Sequence, residues 1–161
     1  MAISLNRICI KCVALAMLVL NACATHGSSE RLDTYTLLSA SSDVNPDISG
    51  RPSPVVLRVF QLKGAAEFSH ADFFALYAHE KETLGANIID IEEFELRPGE
   101  RLETRLPLAR DARYIGAIAG FRDLSNAQWR TLQIRPSRSI FFRETVAISV
   151  DRSTLTLSVK H

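Results

Sequence analysis

Apolar and polar side chains alternate along most of this chain from residue 32 onward, and the alternation predicts strands. The clearest case is Val55 to Lys63. Val55, Leu57 and Val59 fall on one face, and Val56, Phe60 and Leu62 on the other. A strand apolar on both faces belongs inside a sandwich, covered on both sides. Arg58 interrupts the second face and needs a partner or a place at the rim. Leu32 to Leu38, rich in Thr and Tyr, predicts an earlier strand. Phe94 and Leu96 alternate with Glu93, Glu95 and Arg97; then, past Pro98-Gly99, Leu102, Thr104, Leu106 and Leu108 alternate with Arg101, Glu103, Arg105 and Pro107. Two such runs around a turn predict a hairpin with one wet face. Tyr114 to Phe121 is almost wholly apolar and predicts a central strand, where Gly116 and Gly120 leave room for another backbone or a bulky side chain. Trp129 to Ile134 is a further strand, with Trp129 expected in the core. The last two strands are Thr145 to Val150 and Thr154 to Val159, joined by a tight Asp151-Arg152-Ser153 turn.

One segment breaks this period. Ser69-His70-Ala71-Asp72 is a capping signal, and Phe73, Leu76, Tyr77 and Leu84 follow at helical spacing before Gly85. The spacing predicts an amphipathic helix of about 15 residues starting at Ser69. About eight strands with a short inserted helical segment define an all-β protein: an antiparallel β-sandwich in one domain, residues 32–161.

The beginning of the chain reads differently. Arg7 and Lys11 precede the apolar run Cys12 to Leu20, which ends in Leu20-Asn21-Ala22-Cys23. A basic start, a short apolar stretch and small residues at a cleavage point are the parts of a secretory signal peptide. The stretch has roughly half of the about 20 residues a transmembrane helix needs. Its Leu-x-Ala-Cys ending resembles the lipobox of bacterial lipoproteins. That resemblance implies removal of residues 1–22, a diacylglycerol on the Cys23 thiol and an acylated Cys23 amino group. Residues 23–31 then form the lipidated cysteine and a flexible polar tether. Ala24, rather than aspartate, after the cysteine resembles the enterobacterial signal for outer-membrane export.

Cleavage after Ala22 removes Arg7 and Lys11, leaving 17 basic against 18 acidic residues and a net charge of −1. That balance argues against a nucleic-acid binder. Cys9, Cys12 and Cys23 are the three cysteines, so no pair remains for a disulfide in the mature domain.

Enzymatic signals are weak. His79-Glu80-Lys81-Glu82-Thr83 begins like the zinc motif H-E-x-x-H, but Thr83 stands where the second histidine must be. His26, His70 and His161 are scattered without metal-ligand spacing. Glu92, Glu93 and Glu95 read as a solvated strand face, and Arg135-x-x-Arg138 as an exposed turn. No G-x-S-x-G nucleophile setting occurs. The reading is a non-enzyme, with no catalytic residue, no metal and no cofactor other than the covalent lipid on Cys23.

Ser39 to Pro54 stands apart. Pro46, Gly50, Pro52 and Pro54 exclude a regular element, and a loop of about 15 residues is longer than most connections in compact domains. It also carries one apolar residue, Ile48, with no periodic home. Such loops are commonly functional, so Asn45, Pro46, Asp47, Ile48, Gly50, Arg51 and Pro52 are the candidate partner-binding residues.

The same residues carry a family resemblance. The run Asn45-Pro-Asp-Ile-Ser-Gly-Arg-Pro-Ser-Pro-Val-Val-Leu-Arg-Val-Phe-Gln-Leu-Lys63 resembles the signature of the type VI secretion lipoprotein family TssJ (SciN, VasD). Phe68 with Ala71-Asp72-Phe73, Leu96-Arg-Pro-Gly-Glu100, Tyr114-Ile-Gly-Ala-Ile-Ala-Gly-Phe-Arg-Asp123 and Trp129-Arg130 follow in order. Phe60 and Phe121 replace tyrosines common in that family. The resemblance implies a transthyretin-like β-sandwich with an added helical segment and no catalytic role. It further implies a protein anchored in the outer membrane and facing the periplasm. There it would hold the periplasmic C-terminal domain of TssM within the TssM–TssL membrane complex, through a loop here spanning roughly Ser41 to Pro54. A ligand-binding or chaperone-like lipoprotein of another envelope pathway is the alternative.

Overall fold

The computed structural model describes residues 31–136 and 144–160. The expected signal peptide, Cys23 and nearly all of the expected tether lie outside the described residues, as does Arg138.

The two apolar faces of Val55–Leu62, strand β2, organise everything around them. Val55, Leu57 and Val59 enter a core shared with Leu38, Leu106, Ile115, Ile148 and Leu157. Phe60 and Leu62 enter a second cluster with Phe68, Phe73, Leu76 and Leu84. The first core lies between two sheets, and the second between one sheet and the helical segment. Eight strands build the sheets: β1 Arg31–Ala40, β2, β3 Ile88–Leu96, β4 Arg101–Ala109, β5 Tyr114–Ala119, β6 Arg130–Ile134, β7 Thr145–Val150 and β8 Leu155–Lys160. Their orders are β4-β1-β7-β8 and β3-β2-β5-β6. Every pairing is antiparallel except β1 with β7, which run parallel from Tyr35↔Thr145 to Ala40↔Val150.

The alternating runs on either side of Pro98-Gly99 do not form a hairpin. β3 pairs with β2, whereas β4 pairs with β1 in the opposite sheet. The turn carries the chain across the sandwich. Gly99, at φ 77°, donates its N–H to the Ser41 carbonyl at 3.0 Å, and Ala40 N–H reaches the Glu100 carbonyl at 2.9 Å. Alternation fixes which face a side chain takes, not which strand lies beside it, so the period was right and the partner was not.

The helical segment is three short helices rather than one: α1 Ala66–His70, α2 Phe73–Ala78 and α3 Glu80–Leu84. Ser69 lies inside α1, and Asp72 is the cap, accepting from the Ala75 N–H at 2.9 Å. Phe68 explains the break. On one continuous helix Phe68 and Phe73 would point roughly 140° apart, at 100° per residue, yet both are buried on the same sheet. Extended backbone at Ala71 (ψ 150°) and Asp72 (ψ 169°) resets the rotation. The carbonyls of Phe68 and Ala71 left open there accept from the Arg130 guanidinium at 2.9 and 2.7 Å. Gly85, at φ 51°, ends α3, and a 3-10 turn over Gly85–Asn87 leads on to β3.

Gly116 is the seat for Phe68. A Cβ at position 116 would lie 2.6 Å from the Phe68 ring, so glycine is what lets the helical segment close on β5. Trp129 is half-buried and touches both apolar clusters, meeting Phe73 edge-on at 5.4 Å. Arg58 finds the partners its position demanded. Its guanidinium bonds Glu93 at 2.7 Å and the Tyr77 carbonyl at 2.5 Å, and lies 4.7 Å over the Tyr77 ring.

Candidate functional site

β1 and β2 are joined by residues 41–54 at one end of the sandwich. This loop is built from its own side chains rather than left slack. Asn45 is 4% exposed and sits at φ 47°, a left-handed conformation that asparagine tolerates better than most residues. Its amide donates to the Pro54 carbonyl at 2.7 Å and accepts from the Arg122 N–H at 2.8 Å, while its own N–H reaches the Arg152 carbonyl at 3.0 Å. One side chain thus ties the start of the loop to its end and to the connection after β5. Val44 beside it is fully buried, and the Ser53 N–H donates to the Val44 carbonyl at 3.1 Å.

Asp47 fixes the tip. Its carboxylate accepts from the N–H groups of Ser49 (2.8 Å) and Arg51 (3.0 Å) and from the Arg51 guanidinium at 2.8 Å. The Asp47 N–H donates to the Arg51 carbonyl and the Gly50 N–H to the Asp47 carbonyl, each at 2.8 Å; Gly50 supplies φ 78°. The hydrogen bond from the Arg51 N–H, then the Arg51 side chain, the Ser49 N–H and the charge of Arg122, together hold the Asp47 carboxyl below its ordinary pKa against the opposing effect of desolvation. With that carboxylate spent internally, what the loop offers outward is Ile48, at 107% relative exposure. An isoleucine held clear of the surface on a fixed turn gains nothing for the fold.

An open cleft of about 600 Å³ lies beside the tip, lined by loop residues 45–48 together with Phe121, Arg122, Asp123, Asn126, Arg152 and Ser153. The structure brings together Asn45, Pro46, Asp47 and Ile48 there. Gly50 and Arg51 shape the tip, and Pro52 is exposed on its return side. The contributions of the β5–β6 connection and the β7–β8 turn were missed in the sequence. Arg122-Asp123 ends an apolar run and Asp151-Arg152-Ser153 reads as a turn, so each carries a local signal, but nothing local says that these turns meet the long loop. Asp123 caps a 3-10 turn over Leu124–Asn126, which fixes that wall of the cleft.

Among the described residues no group of three His, Cys, Asp or Glu side chains could hold a metal ion. The site is a rigid turn presenting one apolar side chain above a mixed-charge cleft. The class that the fold and site define is a two-sheet β-sandwich with a long, side-chain-braced loop at one end.

The comparisons name the family within that class. Residues 34–154 match the family model described as type VI secretion lipoprotein, VasD, EvfM, TssJ, and the chain belongs to that family. It is similar to the type VI secretion lipoprotein TssJ1 of Pseudomonas aeruginosa, with 29% identity over 81% of this chain and 98% of that one, at a TM-score of 0.75. It is also similar to Serratia marcescens Lip, a membrane-bound component of the type VI secretion system, with 30% identity over 78% of this chain and 96% of that one, at a TM-score of 0.68. A chain in a structure described as a type VI membrane complex is similar at 29% identity and a TM-score of 0.69, over 78% of this chain and 97% of that one. A chain in a structure of the TssM C-terminal domain from EAEC gives 27% identity and a TM-score of 0.62 over the same shares. No curated protein matches. The family is one of structural lipoproteins of the secretion membrane complex.

Proposed function

We propose that this chain ties the periplasmic C-terminal domain of TssM, and with it the TssM–TssL membrane complex, to the outer membrane. In this reading the signal peptide, residues 1–22, is cleaved and acyl chains on Cys23 hold the protein in the membrane. Two or more chains anchor a protein stably where one does not. The loop tip, residues 45–52, holds the partner, and no catalysis is involved.

One observation carries the reading: the exposed Ile48 on its fixed turn lies at the far end of β1 from the point where the Cys23 link would enter. β1 has ten residues, so entry and loop are separated by about 30 Å at about 3.3 Å per residue. In this reading the two attachments of the tether sit at opposite ends of β1. The similarity to chains in structures described as a type VI membrane complex and as the TssM C-terminal domain supports the choice of partner.

The test is binding between the exported lipoprotein, purified in detergent, and the TssM periplasmic C-terminal domain. Ile48→Asp should weaken binding by roughly 30-fold, the size of a hot-spot loss, without changing the unfolding midpoint, because Ile48 buries nothing in the fold. No binding by the folded wild-type protein would overturn the assignment to TssM. Equal binding by both proteins would overturn the assignment to this loop.

A further inference from the structure

The end of the sandwich opposite the loop gathers a group of basic residues, with Asp33, Asp90, Asp111 and Glu144 as the carboxylates at that end. Arg31 opens β1, Lys63 follows β2, Arg110 and Arg113 lie between β4 and β5, and Arg135 follows β6. Backbone contacts gather them onto one surface. The Arg113 N–H donates to the Leu62 carbonyl at 2.8 Å, and the Arg135 N–H to the Arg113 carbonyl at 2.9 Å. The Arg135 guanidinium reaches the Ala109 carbonyl at 3.2 Å. Asp90 and Asp111 on this end are taken up by Arg31 at 2.9 Å and Lys63 at 3.1 Å. Arg113 and Arg135 have no carboxylate within ion-pair distance among the described residues. At the loop end Arg51 is held by Asp47 and Arg152 lies 3.7 Å from Asp43, while Arg122 stands there alone without a carboxylate at ion-pair distance among the described residues. Beside the two unpaired guanidiniums, Ile134 is 73% exposed.

This basic end is also where the anchor link arrives. Seven residues separate Cys23 from Arg31, a distance of at most about 25 Å fully stretched and about 15 Å root-mean-square as a coil. That root-mean-square distance is within about two Debye lengths at physiological salt. The attachment itself keeps these guanidiniums close to the leaflet, so local concentration favours a weak electrostatic contact.

We propose that this end docks on anionic lipid headgroups of the leaflet holding the anchor. Arg113 and Arg135 meet the phosphates, and Ile134 enters the interfacial layer. The inference rests on the lipid anchor proposed above. Docking would orient the sandwich, so that the Ile48 loop faces away from the membrane rather than sweeping over it.

The test uses the mature lipidated protein, in which an introduced cysteine is the single free thiol. A fluorophore is placed at Gln133→Cys or at Ser49→Cys, both exposed positions, one at each end. The protein is reconstituted in phosphatidylethanolamine vesicles with or without phosphatidylglycerol and a headgroup quencher. Quenching at 133 should rise severalfold with phosphatidylglycerol, fall back in high salt, and be lost in Arg113→Glu, with the probe at 49 unchanged throughout. Quenching at 133 that ignores lipid charge, in protein that floats with the vesicles and shows acyl mass on Cys23, would overturn docking and leave the anchor intact. Greater quenching at 49 than at 133 would also overturn it. Protein without acyl mass that fails to float would overturn anchor and docking together.

Discussion

At the loop end a buried amide, Asn45, bridges the Pro54 carbonyl and the Arg122 N–H. At the other end a second buried amide, Gln61, 3% exposed, accepts from the Ala109 N–H at 2.8 Å and donates to the Pro107 carbonyl at 3.3 Å. The chemistry is the same, but the consequence differs. Gln61 joins strands of the two sheets that the core already holds together. Asn45 joins a loop to its surroundings, and the shape of the Asp47-to-Arg51 turn depends on where that loop starts. The partner recognition proposed for the loop asks for fixed geometry, and the loop end has it from short side-chain-to-backbone bonds. The leaflet contact proposed above asks for charge near the surface, and at that end Arg113 is exposed while the half-buried Arg135 side chain holds the Ala109 carbonyl.

Removing each amide separates the two roles. Asn45→Ala should have the largest effect. It takes the partner from the part-buried Pro54 carbonyl and Arg122 N–H and places alanine in a left-handed conformation, costing about 3 kcal/mol of stability. It should also abolish partner binding even in the fraction that remains folded. Gln61→Ala should cost somewhat less, about 2 kcal/mol, and leave the affinity of the folded protein unchanged. Urea unfolding read beside binding checks both, and loss of affinity in Gln61→Ala would collapse the distinction between the ends.

The smallest effect is that of pH on the turn. The folded-state pKa of Asp47 is depressed, so its bonds contribute fully above the ordinary carboxyl value of about 4. That contribution is lost as pH falls through the depressed folded value. The amide shifts of Ser49 and Arg51 should stay flat from neutral pH down to about 5 and move together below about 4. In Asp47→Asn that step should be absent, and partner affinity should fall modestly at neutral pH. A shared amide step with its midpoint near neutral pH would show that some other group sets the turn.

Much of this was legible in the chain, and the parts that were not share a physical cause. The two-faced β2, the need of Arg58 for a partner and the room at Gly116 are all local properties, and each was found in its expected role; Ile48, without a periodic home, is exposed. Strand partnership is not local. Phe94 to Leu108 carries a hairpin pattern whose halves sit in different sheets, and the parallel pairing of β1 with β7 leaves no mark in either strand. The broken helix failed for a related reason: Phe68 is out of phase with Phe73, but only the sheet beneath them makes that phase matter. The cleft lining was half visible, because the long loop announces itself while Arg122 and Arg152 sit in short connections with no unusual composition.

The parallel pairing of β1 and β7 also bears on how the chain reaches this state. β1 is the first strand in sequence, yet its neighbours are β4, with Tyr35 opposite Arg105, and β7, with Tyr35 opposite Thr145. Ser39 and Ser149, whose hydroxyls meet at 3.1 Å, are 110 residues apart. Pairings of such long separation form slowly, because the loop must close before the contact rewards it. β1 can pair with β4 once residue 109 is made, but its other edge cannot be filled by β7 until nearly the whole domain is present. Until then Thr34, Thr36 and Leu38, all buried in the finished sandwich, lie on a strand with one open edge.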